Sequence, residues 1–189
     1  NDTILHEKCI EILYDRAKKE KHYSFYCPKI FYHNDPEIIW YAGGDINLRK
    51  PNGVVHYGFN EKDSIKYDKD REISFATGCA IFCHTDTFIN HGMLTENFFI
   101  YCEDVDWSKR IQNARGIGLY VPNACMWHKV GQTYSNDINK QLKRIYLFSR
   151  NRFIVQRNYR GILSTFIMIL IYFSGKASRK AFIAFMKLD

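Results

Sequence analysis

Acid is missing from the last quarter of this 189-residue chain: between Lys140 and Leu188 there is no Asp or Glu, while eleven Lys and Arg fall there. The residues before Lys140 hold 16 basic and 19 acidic side chains, so the net charge of +7 divides into −3 and +10. A basic excess confined to one end, alternating with apolar segments and accompanied by no known binding module, argues against nucleic acid as a partner. Long apolar runs are also absent. The longest candidate, Gly161 to Ser174, is shorter than the roughly 20 residues a membrane-spanning helix needs. Flanked by Arg157 and Arg160 on one side and by Lys176, Arg179 and Lys180 on the other, it suits an interfacial or re-entrant helix at an anionic membrane surface. A core helix of a larger protein is the other reading. The six cysteines form no paired Cys-x-x-Cys units, which excludes a zinc framework and leaves small buried hydrophobes in a reducing compartment. Neither a GxGxxG nor a Walker pattern is present, so Tyr41-Ala42-Gly43-Gly44 reads as a turn rather than a phosphate cradle.

The apolar share of 46% and aromatic share of 16% are enough for one sizeable core, giving one domain over 1–139 and an appended basic tail over 140–189. Ile4, Leu5, Cys9, Ile12, Leu13 and Ala17 approximate one helical face, predicting a helix from Ile4 to about Lys19. Ser74 to Cys83 reads as a buried strand interrupted by Gly78, with Cys79 and Cys83 on one face. A short helix from Thr85 to about Asn90, a turn at His91-Gly92, a helix ended by Gly116 and a strand from Ile117 to Val121 follow.

Between these pieces lies Glu103-Asp104-Val105-Asp106-Trp107, placed after the apolar run Phe98-Phe99-Ile100-Tyr101. Three carboxylates in four residues repel one another and resist desolvation, so they call for a cleft, a metal or a cation. The first turn of a helix also favours acids, and Asp106 is spaced to pair with Arg110 at i,i+4. Both readings stand on the residues alone.

The order Gly78-Cys79-Ala80, then Phe98 to Arg110, then Val121-Pro122-Asn123-Ala124 and His128 resembles the catalytic half of family 2 glycosyltransferases. The rhamnosyltransferase-like enzymes of bacterial surface-polysaccharide assembly are the nearest in pattern. Pro28-Lys29-Ile30 through Gly44, and Arg150-Asn151-Arg152, resemble segments that flank that half. The resemblance implies an α/β chain, a partial GT-A (Rossmann-like) fold whose nucleotide-binding half lies upstream, with the helical tail on a membrane. Asn1-Asp2-Thr3 resembles the end of that family's Asn-x-Asp-Thr motif, and this piece alone is then expected to be inactive.

The chemistry implied is inverting transfer from a nucleotide-sugar donor to a saccharide or lipid-linked acceptor, at the cytoplasmic face of a bacterial membrane. Asp104 is then the general base, with Glu103 the runner-up and Asp106 structural through Arg110. Asp2 and His128 are implied metal ligands for a divalent cation, Mg or Mn, on the diphosphate. Gly78, Cys79, Trp107, Arg110 and Lys129 are implied to face donor or acceptor, and Lys129 to Ser135 to form a closing loop. Two readings from other classes remain: a glycoside hydrolase, which places its two carboxylates on separated elements, and a non-catalytic membrane scaffold.

Overall fold

The computed structural model describes residues 2–50, 53–130 and 138–174. It is a mixed α/β chain in which strand β2 (Phe25–Tyr32), buried along seven of its eight residues, lies between β8 (Gly118–His128) and β3 (Ile38–Tyr41). The β2–β8 pairing is parallel, and β3 joins antiparallel, with β6 (Glu61–Lys62) beyond it. A strand enclosed on both edges needs an apolar run, and Phe-Tyr-Cys-Pro-Lys-Ile-Phe-Tyr nearly supplies one.

The exceptions are Pro28 and Lys29, and the register moves between them. Pro28 pairs with Val121 but Lys29 with Cys125, so Pro122 to Ala124 are looped out of the ladder. Two prolines without N–H groups meet at a bulge, where the ladder makes no demand on them. The buried Lys29 ammonium is held by Asp63 at 3.0 Å and Asp68 at 2.7 Å.

The bulge also divides β8's outer edge. Its first half receives β7 (Arg71–Ile73), with Ile73 opposite Gly118, and its second half receives β1 (Thr3–Leu5), with Thr3 opposite His128. A two-stranded sheet of β4 (Gly44–Ile46) and β5 (Val54–His56) completes the β structure. Helix α1 (Cys9–Lys19) buries Cys9 and Leu13 in a cluster with Tyr26, Leu119, Val121 and Ala124. Helix α2 spans Thr85–His91, α3 Glu103–Asn113, and α4 Ile138–Ser174.

Two sequence expectations change here. The helix expected from Ile4 begins at Cys9, because Thr3 to Leu5 complete β8's edge ladder instead. The strand expected over Ser74 to Cys83 is an irregular loop, tied to the sheets by the Phe75 N–H donating to the Gly44 carbonyl at 3.0 Å and by an isolated bridge between Phe82 and Tyr26. The backbone groups of Ala76 and Gly78 between them are claimed by side chains of α3, described below. Gly116 does follow the α3 terminus, and a Cβ there would lie 2.5 Å from Ser24 Oγ. The strand expected over Ile117 to Val121 runs on through Pro122 to His128.

The chain forms two compact units, residues 1–94 with 104–132, and 95–103 with 133–189. The aromatic segment before α3 thus belongs with the helical tail. In that second unit Phe99, Tyr101 and Cys102 adopt φ of 62°, 70° and 69°, a region that side-chain-bearing residues rarely enter. Asn151, fully buried, holds them: its Nδ2 donates to the carbonyls of Phe98, Ile100 and Tyr101 at 2.8, 2.7 and 2.9 Å. Arg150 Nη2 donates to the Asn97 carbonyl at 2.9 Å. The Arg-Asn pair singled out in the sequence is therefore a clamp on strained backbone.

Candidate active site

Within the first unit, β1 and β8 bring the two ends of the segment together. Opposite registration of Thr3 and His128 places Asp2 beside the imidazole, with His128 Nε2 3.3 Å from Asp2 Oδ2. The Lys129 N–H donates to the Asp2 carbonyl at 2.7 Å, fixing the backbone on which both side chains stand. Trp40 of β3 meets the His128 ring edge to face at 4.6 Å between centroids. The other imidazole nitrogen, Nδ1, is buried and has no hydrogen-bond partner among the described residues.

Asp104 enters from the start of α3. Its Oδ2 accepts the Gly78 N–H at 3.0 Å, and its Oδ1 accepts the Val105 N–H at 2.8 Å. One turn along the same face, the fully buried Ser108 hydroxyl accepts the Ala76 N–H at 3.0 Å. The i,i+4 pair Asp104 and Ser108 thus grips the loop 76–78, which explains why that loop forms no strand. The sequence reading missed Ser108; its spacing from Asp104 was the available signal.

Cys79 follows Gly78 in the loop that Asp104 holds. Burial pushes its thiol up to about 12, and the carboxylates of Asp2 and then Asp104 act on it in the same direction. A thiol held that high is protonated at neutral pH and no nucleophile. None of the six cysteines is in a disulfide.

Gly78 takes part through its N–H. A Cβ there would meet only Asp104 atoms, the nearest at 3.6 Å, which is ordinary contact. Glu103, the first residue of α3, belongs to the second unit, and its Oε2 is a buried oxygen with no hydrogen-bond partner among the described residues.

Trp107 and Arg110 are placed differently from the sequence expectation. Trp107 has no exposed surface: it packs on Phe25 and Phe88, and its indole N–H donates to the Gly92 carbonyl at 3.0 Å. Its side chain is wholly taken up by the core. Arg110 pairs with Asp106 at 3.1 Å and donates to the carbonyls of His91 and Met93, so its guanidinium secures the turn after α2. The expected Asp106–Arg110 pair is present. Of the loop expected from Lys129 to Ser135, Lys129 and Val130 are described, and Gly131 to Ser135 lie outside the described residues.

A divalent cation is the cofactor to test against these atoms. Asp2 supplies a hard carboxylate oxygen, acceptable to Mg or Mn, and His128 an imidazole nitrogen, which suits Mn better than Mg. Among the described residues no third His, Cys, Asp or Glu joins them. The donor set fits a cation that completes its coordination with water and a ligand's phosphates, as Mg commonly does. It does not fit a closed structural site.

No family model matches this chain. Over 87 residues, 44% of its length, it is 28% identical to the N-acetylglucosaminyl-diphospho-decaprenol L-rhamnosyltransferase of Mycobacterium tuberculosis strain CDC 1551 / Oshkosh. The same values hold for the protein of that name from strain ATCC 25618 / H37Rv. The matched segment spans 28% of the length of these relatives. The chain is thus similar, over less than half its length, to a glycosyltransferase.

Proposed function

We infer that this chain carries the acceptor-side, catalytic portion of an inverting GT-A glycosyltransferase. It would move a sugar from a nucleoside diphosphate to a hydroxyl of a saccharide or lipid-linked saccharide in bacterial surface-polysaccharide synthesis. The observation that carries this reading is the meeting of Asp2 with His128, 126 positions apart in the chain and within the same compact unit as Asp104. The partial likeness to a rhamnosyltransferase supports it. The printed name of those relatives gives N-acetylglucosaminyl-diphospho-decaprenol as their acceptor and rhamnose as the sugar they move. For this chain the proposal is accordingly a polyprenyl-diphosphate-linked saccharide as acceptor and rhamnose as donor sugar, with deoxythymidine diphosphate favoured as its carrier and a UDP-hexose as the alternative donor.

In the proposed step the acceptor hydroxyl gives its proton to Asp104 as its oxygen attacks the anomeric carbon. The bond from that carbon to the diphosphate oxygen breaks on the opposite face, and the nucleoside diphosphate leaves with the electron pair. Asp104 suits the base because two backbone N–H groups hold its carboxylate in one orientation. Asp2 and His128 would hold the cation, which when bound supplies charge for the departing diphosphate. Trp40 keeps the His128 ring in place. The basic tail would keep the protein peripheral to the cytoplasmic face of the membrane, beside a lipid-linked acceptor.

Three variants of the intact gene product test the assignment. Asp104→Asn should lower kcat by about 10²–10⁴-fold with donor binding retained. Asp106→Asn should act on stability, since its carboxylate is turned to Arg110. Near-normal turnover in Asp104→Asn together with loss in Glu103→Gln would exchange the roles of the two acids.

A further inference from the structure

The tail is folded inside out. Helix α4 is interrupted at Gly161, whose φ of 79° and ψ of 174° are not helical. Across this break Gln156 Nε2 donates to Ser164 Oγ at 2.7 Å, and Arg152 Nη2 reaches Met168 Sδ at 3.4 Å. In a straight helix residues 152 and 168 would stand about 24 Å apart. The two limbs therefore lie antiparallel as a hairpin, and its seam is polar: Arg152, Gln156 and Thr165 are buried there.

The outer face of the second limb is the reverse. Ile162, Leu163, Phe166, Ile167, Leu170 and Ile171 are 49% to 74% exposed. Their spacing of i, i+1, i+4, i+5, i+8, i+9 covers half of the helix surface. No charged residue occurs between Gly161 and Ser174. A limb in water would place the apolar half against its partner and the polar half outward; this one does the opposite.

We propose that this second limb, from Ile162 onward, is inserted lengthwise into the acyl region of one leaflet of an anionic bilayer. The first limb and the bend would remain at the head groups. This deepens the membrane reading above and does not depend on the transferase chemistry. Lipid is favoured as the occupant by the charge beside the apolar face. Lys140, Lys143, Arg144, Arg157 and Arg160 of the first limb are all exposed, and no acid lies between Ile138 and Leu188 to oppose them. The 13 described residues of the limb, Ile162 to Ser174, reach about 20 Å against a hydrocarbon core of about 30 Å. No helix among the described residues is long and apolar enough to span a membrane.

The test is flotation of the intact gene product with vesicles of phosphatidylcholine containing about a quarter phosphatidylglycerol, without any nucleotide sugar. Leu163→Asp/Phe166→Asp, at exposed positions, should keep the native circular dichroism and weaken vesicle binding about tenfold or more. Arg157→Gln/Arg160→Gln should reduce the preference for phosphatidylglycerol by about fivefold per residue while leaving residual binding. In Phe166→Trp, lipids brominated in the acyl chain should quench fluorescence beyond that of the native tryptophans. Binding unchanged by the aspartates, or no acyl-chain quenching, would overturn the proposal. So would a vesicle-free dimer that the aspartates convert to monomer, since a second copy would then cover the face. Transferase activity enters none of these readouts, so a failure here is separable from a failure of the catalytic assignment.

Discussion

His56 lies among Trp40, Tyr41, Phe59 and Phe75, and burial in that aromatic nest lowers its pKa from 6.5 to about 4, against a smaller opposing hydrogen bond with the Trp40 backbone. The folded state therefore binds fewer protons than the unfolded state between these two values, and stability rises with pH across that window. The associated stability is complete above about pH 6.5 and lost as pH falls towards 4, to an extent of about 3 kcal/mol. His56→Phe should flatten the acid limb of a Tm-against-pH profile over that range; an unchanged limb would assign it to other groups. At the same scale, the types of the site residues were legible and their environments were not. Asp104, Asp2 and His128 announced themselves by chemistry and order, whereas Trp107 carries the same aromatic label in a core as on a sugar-binding surface. Its complete burial follows from contacts with Phe25 and Phe88, far away in sequence.

Elements show where local pattern was overruled. Ser74 to Cys83 has the apolar alternation of a strand, but Ala76 and Gly78 give their N–H groups to Ser108 and Asp104 of α3. Backbone donors satisfied by side chains have no need of a ladder. The clamp in the second unit was visible only as the dipeptide Arg150-Asn151; the carbonyls it holds lie some fifty residues earlier. Asn151→Ala should cost about 2–3 kcal/mol in a urea titration, because buried carbonyls lose their donor. Asn151→Asp should cost more, since it sets a carboxylate oxygen against carbonyl oxygens; equal effects of the two variants would contradict the clamp. The hairpin offers a second check. A Cβ on Gly161 meets nothing within 4 Å, so the cost of Gly161→Ala should be backbone strain alone, about 1–3 kcal/mol. Hydrogen exchange over residues 152–171 would register it as faster opening, and unaltered exchange would show that the bend tolerates a side chain.

Across the whole molecule, the two units differ in charge and in surface: the charges of the first sum to zero and those of the second to +7. The first unit sets Asp2 against His128 and Asp104 against the Gly78 N–H, and the second pairs a basic limb with an exposed apolar one. Composition marked the basic limb, because it depends only on which residues are present. It carries no sign that Thr95 to Glu103 packs with the tail through Asn151, a long-range choice that no local period records. The central claim is that these carboxylates serve sugar transfer. Its most direct measurement is nuclear magnetic resonance of the product formed by the intact gene product from a nucleoside-diphosphate sugar and a polyprenyl-diphosphate-linked saccharide, with and without a divalent cation. The account predicts cation-dependent transfer with the anomeric configuration inverted, reduced about 10²–10⁴-fold in Asp104→Asn. Retention of configuration, transfer unaffected by Asp104→Asn, or cleavage of a glycoside with no nucleotide present would contradict it.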